Sequence, residues 1–302
     1  MYPAVSVVIP AHKRPVELRR AIRAAREQDY PGDLDIVVVY DRADPDMSLV
    51  TNAPRPVRVL VNERTPGLAG ARNTGILATT GELVAFCDDD DMWHPRKLRT
   101  QVERLQRHPR APLVTTSIVV DYGDRSTVRH AGTERVTHEM LLQSRMSMLH
   151  SSTLVFRRDA LEGELGLINE EIPGSQNEDW DILLRASALH PVIHVDEPLV
   201  RVLWGKSSHF SRRWDTKIES SVWMLKNHPD VAAHRFGASR LMGQIAFAHA
   251  SSSNRSEAWR WAMRSVRGNP FQWRGWISMG VAFAPQSSEV VLGTLHRWGR
   301  GV

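Results

Sequence analysis

Near-continuous apolar runs punctuate the first part of the chain: Val5 to Pro10, Asp35 to Tyr40 and Leu83 to Cys87. Runs with so little polar alternation read as strands buried on both faces, which belong to parallel sheets covered by helices. Val57 to Val61 and Leu113 to Val120 read as two further strands, the second of them central. Between the first two strands, Val16, Leu18, Ala21, Ile22 and Ala25 recur at helical spacing and mark a buried side. Strand, helix, strand in this order begins a right-handed parallel unit. The stretch from Thr65 to Leu98 adds a glycine-containing turn, a short helix and a strand. A helix starting near Trp93 to Arg96, with Pro95 in its first turn, leads into an amphipathic stretch from Lys97 to His108, stopped by Pro109 and Pro112.

The second half is more broken. Asp121 to Glu139 reads as a loop or small hairpin, Ser151 to Arg157 as a strand and Asp159 to Leu165 as a short helix. Leu183, Leu184 and Ala188 give a helical apolar face behind Asn177 to Asp181. Ile193 to Val202 reads as an edge strand interrupted by Pro198. From Asp215 onward the pattern is helical, over Thr216 to Asn227, Phe236 to Ala250 and Ser256 to Val266. The last two resemble one tetratricopeptide-like hairpin, and a single such unit makes a docking appendage rather than a solenoid. The expected fold is therefore α/β: a mostly parallel sheet flanked by helices, with a Rossmann-like first half, which the resemblance given below implies is nucleotide-binding, and a C-terminal helical appendage. The expected domains are residues 1–212, divided into halves 1–100 and 101–212, and a helical region 213–302.

Composition changes this picture in three places. The single cysteine, Cys87, ends a buried strand, so it reads as a core residue in a reducing compartment. No secretory signal precedes the first strand, and the uncharged stretch Gly275 to Ser288 is too short to span a bilayer. These features set the expectation of a cytoplasmic protein, at the inner face of the membrane if the tail binds lipid. Trp259 to Val302 carries six arginines and one acid, Glu289, within a chain of net charge +5. Eight of the ten tryptophans lie beyond residue 200, with Trp273, Trp276 and Trp298 beside arginines. Such a segment suits peripheral membrane contact, or packing onto the α/β domain. The aromatics form no recognisable nucleic-acid module, so no nucleic-acid partner is expected.

The chemistry is carried by two acidic clusters. Asp88, Asp89, Asp90 and Asp91 follow directly on a buried strand, at the strand end where ligands bind in open α/β sheets. Adjacent acids repel; the run is either a solvated, helix-capping turn or a site for Mg²⁺ or Mn²⁺, which takes carboxylates together with phosphate oxygens. Small residues around Pro66, Gly67 and Gly70 would let a helix start close to a diphosphate, with Arg72 offsetting its charge. The second cluster, Glu178, Asp179 and Asp181, occupies the first turn of a helix, where acids also act as caps and complement the helix dipole.

VSVVIPAHKRP at the amino end, PGLAGARNTGILATTGELVAFCDDDDMW and NEDWDILLR at Asn177 to Arg185 together resemble a family 2 glycosyltransferase of the GT-A fold. The blocks stand in that family's order over about two-thirds of the chain. The resemblance implies an inverting, metal-dependent transfer of a hexosyl or N-acetylhexosaminyl group from a nucleotide-diphosphate sugar, with UDP as the expected nucleotide. It implies a hydroxyl acceptor, either lipid-linked or a natural product. It places Pro10, Ala11, His12, Arg14, Asp41, Arg72, Asn73, Asp88 and Asp89 around the donor. Asp90 and Asp88 would hold Mn²⁺ or Mg²⁺, joined by His209, which reads equally as a solvated loop histidine. Asp179 would be the general base, with Glu178 its neighbour and substitute, and Trp180 and Trp93 would face the acceptor. Tyr40-Asp41-Arg42-Ala43 departs from the family's usual two acids and Gly-Ser. Two alternatives stand beside this reading: a sugar-nucleotide-forming nucleotidyltransferase, and a non-catalytic scaffold binding membrane or nucleic acid through the tail. A glycoside hydrolase would also use two carboxylates, but it has no role for the strand-end aspartates.

Overall fold

The computed structural model describes residues 1–123, 125–203 and 213–297. In chain order its elements are β1 (Val5–Ala11), α1 (Pro15–Arg26), β2 (Leu34–Tyr40), β3 (Val57–Val61), α2 (Leu68–Leu77), β4 (Leu83–Phe86), β5 (Met92–Trp93) and α3 (Lys97–Gln106). There follow β6 (Leu113–Tyr122), β7 (Arg125–Arg129), β8 (Arg135–Val136), α4 (His138–Gln143), β9 (Val155–Arg157), α5 (Arg158–Glu162), α6 (Glu178–Leu189) and β10 (Val192–Leu203). The helical remainder comprises α7 (Trp214–Asn227), α8 (Pro229–Ala233), α9 (Arg235–Ser251), α10 (Arg255–Gly268), α11 (Trp273–Phe283) and α12 (Ser288–Arg297).

The main run of the sheet has the order β3-β2-β1-β4-β9-β6-β10-β5, with β7 paired to β6 and β8 to β10. Strands β3, β2, β1 and β4 are mutually parallel, whereas β9 runs antiparallel to both β4 and β6. Every residue of β1 and β4 is buried, as unbroken apolar runs require. Helix α1 starts on Pro15 and buries Leu18, Ala21, Ile22 and Ala25. Val16 was expected with them but is 57% exposed; at 3.6 residues per turn it lies about 160° around the helix from Leu18. Helix α2 approaches β1 through Gly75, where an added Cβ would stand 2.3 Å from Val8 Cγ1.

Three expectations change. Met92–Trp93 forms a strand, β5, antiparallel to β10 at Val200 and Arg201. β10 is thus no bare edge, since β6 lies on one side and the short β5 and β8 on the other. Pro198 sits where its register with β6 shifts, the irregular position that a residue without an N–H tolerates. Finally, Ser151–Thr153 is a 3-10 turn, and only Val155–Arg157 is strand. His150 stands at the N-cap of that turn, its ring Nδ1 3.4 Å from the Ser152 nitrogen.

By internal packing the chain forms two units. One comprises Met1–His138, Met146–Glu171 and Glu178–Ser208, and contains the sheet. The other comprises His209–Val302 with two short segments, Glu139–Arg145 and Ile172–Asn177, that the sequence had placed in the first domain. Polar contacts join these segments to the helices: Asn177 Nδ2 donates to Ser220 Oγ at 2.7 Å, and His234 Nε2 lies 2.9 Å from Glu139. Helices α9, α10 and α11 pack on one another around Phe247, Ala250, Ala258, Val281 and Ala282. Among the described residues no helix is long and apolar enough to cross a membrane.

Gly75→Ala is expected to lower stability by about 1–3 kcal/mol, because the new methyl overlaps Val8 in a close-packed interior. Thermal denaturation of the purified chain measures it as a lowered midpoint with the fold retained.

Candidate active site

The site is assembled at the carboxyl ends of β1, β2 and β4. After β1, the His12 N–H donates to Asp89 Oδ2 at 3.0 Å, and the His12 ring Nδ1 lies 2.8 Å from the Asp41 carbonyl. One residue therefore ties the acidic run to the end of β2. Asp41 accepts from Asn62 Nδ2 at 2.8 Å and from Arg42 Nε at 3.0 Å. Burial pushes the Asp41 carboxyl up, but these donors and the Gly67 N–H outweigh it and hold the group below its ordinary range. Pro10 and Ala11 are buried at the end of β1, so what that strand end offers is backbone.

The four aspartates divide into two pairs with different partners. Asp88 accepts from Arg72 Nη2 at 2.7 Å and from Ser151 Oγ at 2.8 Å, while its own N–H donates to Ser152 Oγ at 2.9 Å. Its carboxyl is held below the usual aspartate range, because Arg72 and His150 outweigh burial. Asp91 is fully enclosed, accepts from Ser152 Oγ and lies 3.3 Å from His150 Nδ1. Against the opposing effect of burial, Asp91 holds the His150 imidazole up at about 9. Asp89 and Asp90 share Arg14, which donates to Asp89 Oδ1 at 3.2 Å and pairs with Asp90 Oδ2. Burial raises Asp89 to about 6, and burial with repulsion from Asp91 raises Asp90 to about 7.

Helix α2 connects this loop to the second acidic cluster. Arg72 is 1% exposed, and its Nη1 donates to Glu178 at the start of α6 while Nη2 holds Asp88. The expected diphosphate contact is thus an internal bridge between two carboxylates. One residue on, Asn73 exchanges hydrogen bonds with the Ile168 backbone at 2.8 and 3.0 Å and donates to Glu170 at 2.7 Å. Asn73 therefore anchors the segment leading toward α6. The first turn of α6 carries Glu178, Asp179 and Asp181, all buried. Asp179 Oδ1 accepts from the Trp180 N–H at 2.8 Å, while Asp181 is paired with Arg185 one turn on at 2.8 Å.

Some candidates fall elsewhere. His209 lies outside the described residues. Arg201, at the end of β10, forms a two-point ion pair with Asp121 at 2.6 and 2.8 Å. Trp93 and Trp180 are both buried; the Trp93 indole N–H donates to the Ser152 carbonyl at 3.0 Å, and Lys97 Nζ lies 3.8 Å from its ring centroid. Cys87 is buried with its thiol pushed well up by burial, which suits a core residue and not a nucleophile. His150, Ser151 and Ser152 were missed as site residues. Their signal was a histidine and two hydroxyls directly before an apolar strand, read only as strand. Side-chain ligand atoms of Asp88, Asp91 and His150 lie within 4.8 Å of one another, a grouping able to hold a metal ion.

The family model described as Glycosyl transferase family 2 matches residues 6–164, more than half of the 302 residues. The chain belongs to glycosyl transferase family 2. This family 2 chain is 31% identical to an uncharacterized glycosyltransferase of Nostoc sp. over 170 residues, 52% of this chain and 52% of that protein. It spans 52% and 64% of the length of two of the curated relatives it matches, the second a glycosyltransferase of amylovoran biosynthesis from Erwinia amylovora. Among solved structures, TarS 1-349 of S. aureus in complex with UDP-GlcNAc is 16% identical with a TM-score of 0.63, covering 98% of this chain and 92% of that one. A mannosyltransferase from Pyrobaculum calidifontis, in complex with GDP-Man and Mn²⁺, is 19% identical with a TM-score of 0.57, covering 96% and 88%. Both likenesses are likenesses of fold, and they agree with the GT-A architecture expected from the motifs.

Replacing Arg72 by Met removes the cation between the buried Glu178 and the part-buried Asp88, so stability at neutral pH is expected to fall by about 3–5 kcal/mol. Asp88 has a depressed pKa in the folded chain, so its contribution exists above the unfolded-chain value and is lost as pH falls through the folded one. The difference between wild type and Arg72→Met should therefore narrow below pH about 3.9. Denaturant melts of both proteins across pH measure it.

Proposed function

We propose that this chain transfers a sugar from a nucleotide-diphosphate sugar to an acceptor hydroxyl, with inversion at the anomeric carbon. The observation that carries the proposal is the linkage of the strand-end aspartates, through Arg72, to the acid-bearing first turn of α6. This linkage holds a donor-type carboxylate cluster and a candidate base in one rigid network. The nucleoside lies against Asp41 and the backbone of Pro10 and Ala11, and the diphosphate lies toward His12, Arg14 and Asp89. UDP is the nucleotide we assign, the one bound as UDP-GlcNAc in the TarS complex.

The residues present fit a divalent cation. Asp88, Asp91 and His150 converge, and Asp89 and Asp90 stand beside them with carboxyls that burial first, and for Asp90 repulsion from Asp91, raises, a cost that a bound cation would offset. We assign Asp88 and Asp90 as its principal carboxylates, with Asp91 and His150 beside them; the oxygen-rich set suits Mg²⁺ or Mn²⁺, the latter present in the Pyrobaculum complex. Bound there, the cation would offset charge on the departing diphosphate.

Asp179 takes the acceptor proton as the hydroxyl oxygen bonds to the anomeric carbon. The bond from that carbon to the diphosphate oxygen breaks on the opposite face, its electron pair leaving with the diphosphate. Inversion follows from the single displacement. Glu178 is committed to Arg72, so it positions α6 while Asp179 acts as base. Trp180 and Trp93 back the acceptor side from the interior.

Thermal-shift measurements with UDP, GDP, dTDP and CDP, each with and without Mn²⁺, test the donor half. A Mn²⁺-dependent shift with UDP, lost in Asp90→Ala, is expected; no shift with any nucleotide would remove the proposal. For the base, Asp179→Asn is expected to lower turnover by about 10²–10⁴-fold while the nucleotide shift persists. Near-normal turnover in that variant would displace Asp179 from the role.

A further inference from the structure

The helical unit carries an aromatic surface that neither its core nor the acidic site uses. Phe271, in the turn between α10 and α11, is 92% exposed, and on α11 Trp276 and Phe283 are 54% and 69% exposed. Trp276, Gly280 and Phe283 recur at i, i+4 and i+7, one face of the helix. The rest of the helix buries Arg274, Gly275, Ser278, Met279, Val281 and Ala282. Trp259 of α10 extends the surface, its ring meeting Phe283 edge-on at 5.6 Å. Apart from the Trp259–Phe283 contact, these rings present apolar surface to solvent rather than to the core of the unit.

We propose that this face docks on an anionic phospholipid bilayer, lying in the plane of the interface. Its charge matches that partner: Arg255 to Phe283 contains five arginines and one acid, Glu257, which already pairs with Arg260. Arg264 and Arg267 are exposed on α10, and α11 contains no acid at all. Basic side chains flanking an apolar helix face are the pattern of interfacial helices. The Trp276 indole N–H donates to the Pro270 carbonyl at 2.8 Å, so the ring can leave water with its donor already satisfied. Helix α11 has 11 residues, about half of what a bilayer crossing needs, so it lies on the membrane and does not span it. Of the tryptophans the sequence singled out, Trp276 belongs to this face. Trp273 is half-buried and stacked on Arg274 at 4.2 Å, and Trp298 lies outside the described residues.

The test is co-sedimentation of the full chain with phosphatidylcholine vesicles, with and without phosphatidylserine, at low and high salt. Wild type is expected to sediment with the phosphatidylserine vesicles. Phe271→Ser with Phe283→Ser should weaken this at least tenfold at an unchanged melting temperature, and Arg264→Gln with Arg267→Gln should remove the preference for phosphatidylserine. Failure of wild type to bind either vesicle would overturn the proposal, as would undiminished binding by the serine variant. A serine variant that converts a dimer to a monomer in sedimentation equilibrium, with vesicle binding unaltered, would also overturn it and assign the face to self-association.

Discussion

Everything around the acidic site depends on one buried guanidinium. Arg72 leaves water completely, and so do most atoms of the two carboxylates it joins, a transfer that is costly unless opposite charges meet in good geometry. Because its planar fork presents two separate donor arms, it can hold Asp88 at the end of β4 and Glu178 at the start of α6 together. Lysine would supply the charge without the fixed angle between the arms. The neighbouring Asn73 fixes the Ile168 backbone, so two successive residues of α2 set where the second acidic cluster stands relative to the first.

The acidic run is tolerable because its members are neutralised unequally. Asp88 and Asp91 are held by Arg72, His150, Ser151 and Ser152, a network in which hydroxyls and cations satisfy the carboxylates on the inner side. Asp89 and Asp90 share one partly exposed arginine. The outer pair is therefore compensated less fully than the inner one, and burial leaves both of its carboxyls above the ordinary aspartate range.

Much of this was legible in the chain because local signals agreed. The buried strands, the helix after β1 and the acid-rich start of α6 follow from periodicity and caps, since each is specified within a dozen residues. What was not legible depended on partners distant in sequence. Met92–Trp93 is strand only because β10 returns beside it. Arg72 reads as a phosphate contact until the fold sets Glu178 against it, 106 residues away. The histidine and hydroxyls before β9 name no partner locally, and the role of His150 follows from Asp91 across 59 residues of sequence. Val16 was a simpler matter of helical angle.

The short strand β5 has a consequence for how the site can change. The acidic loop leaves the sheet at Phe86 and rejoins it at Met92, with the Asp91 N–H closing a turn onto the Asp88 carbonyl at 3.2 Å. On rejoining, Trp93 faces inward and Met92 outward, in register with Val200 and Arg201. An extra residue in the loop would slide β5 by one position and turn the indole to solvent. The two-residue pairing of β5 thus ties the path of the acidic loop to the placement of the Trp93 indole, whose N–H reaches the Ser152 carbonyl only in this register.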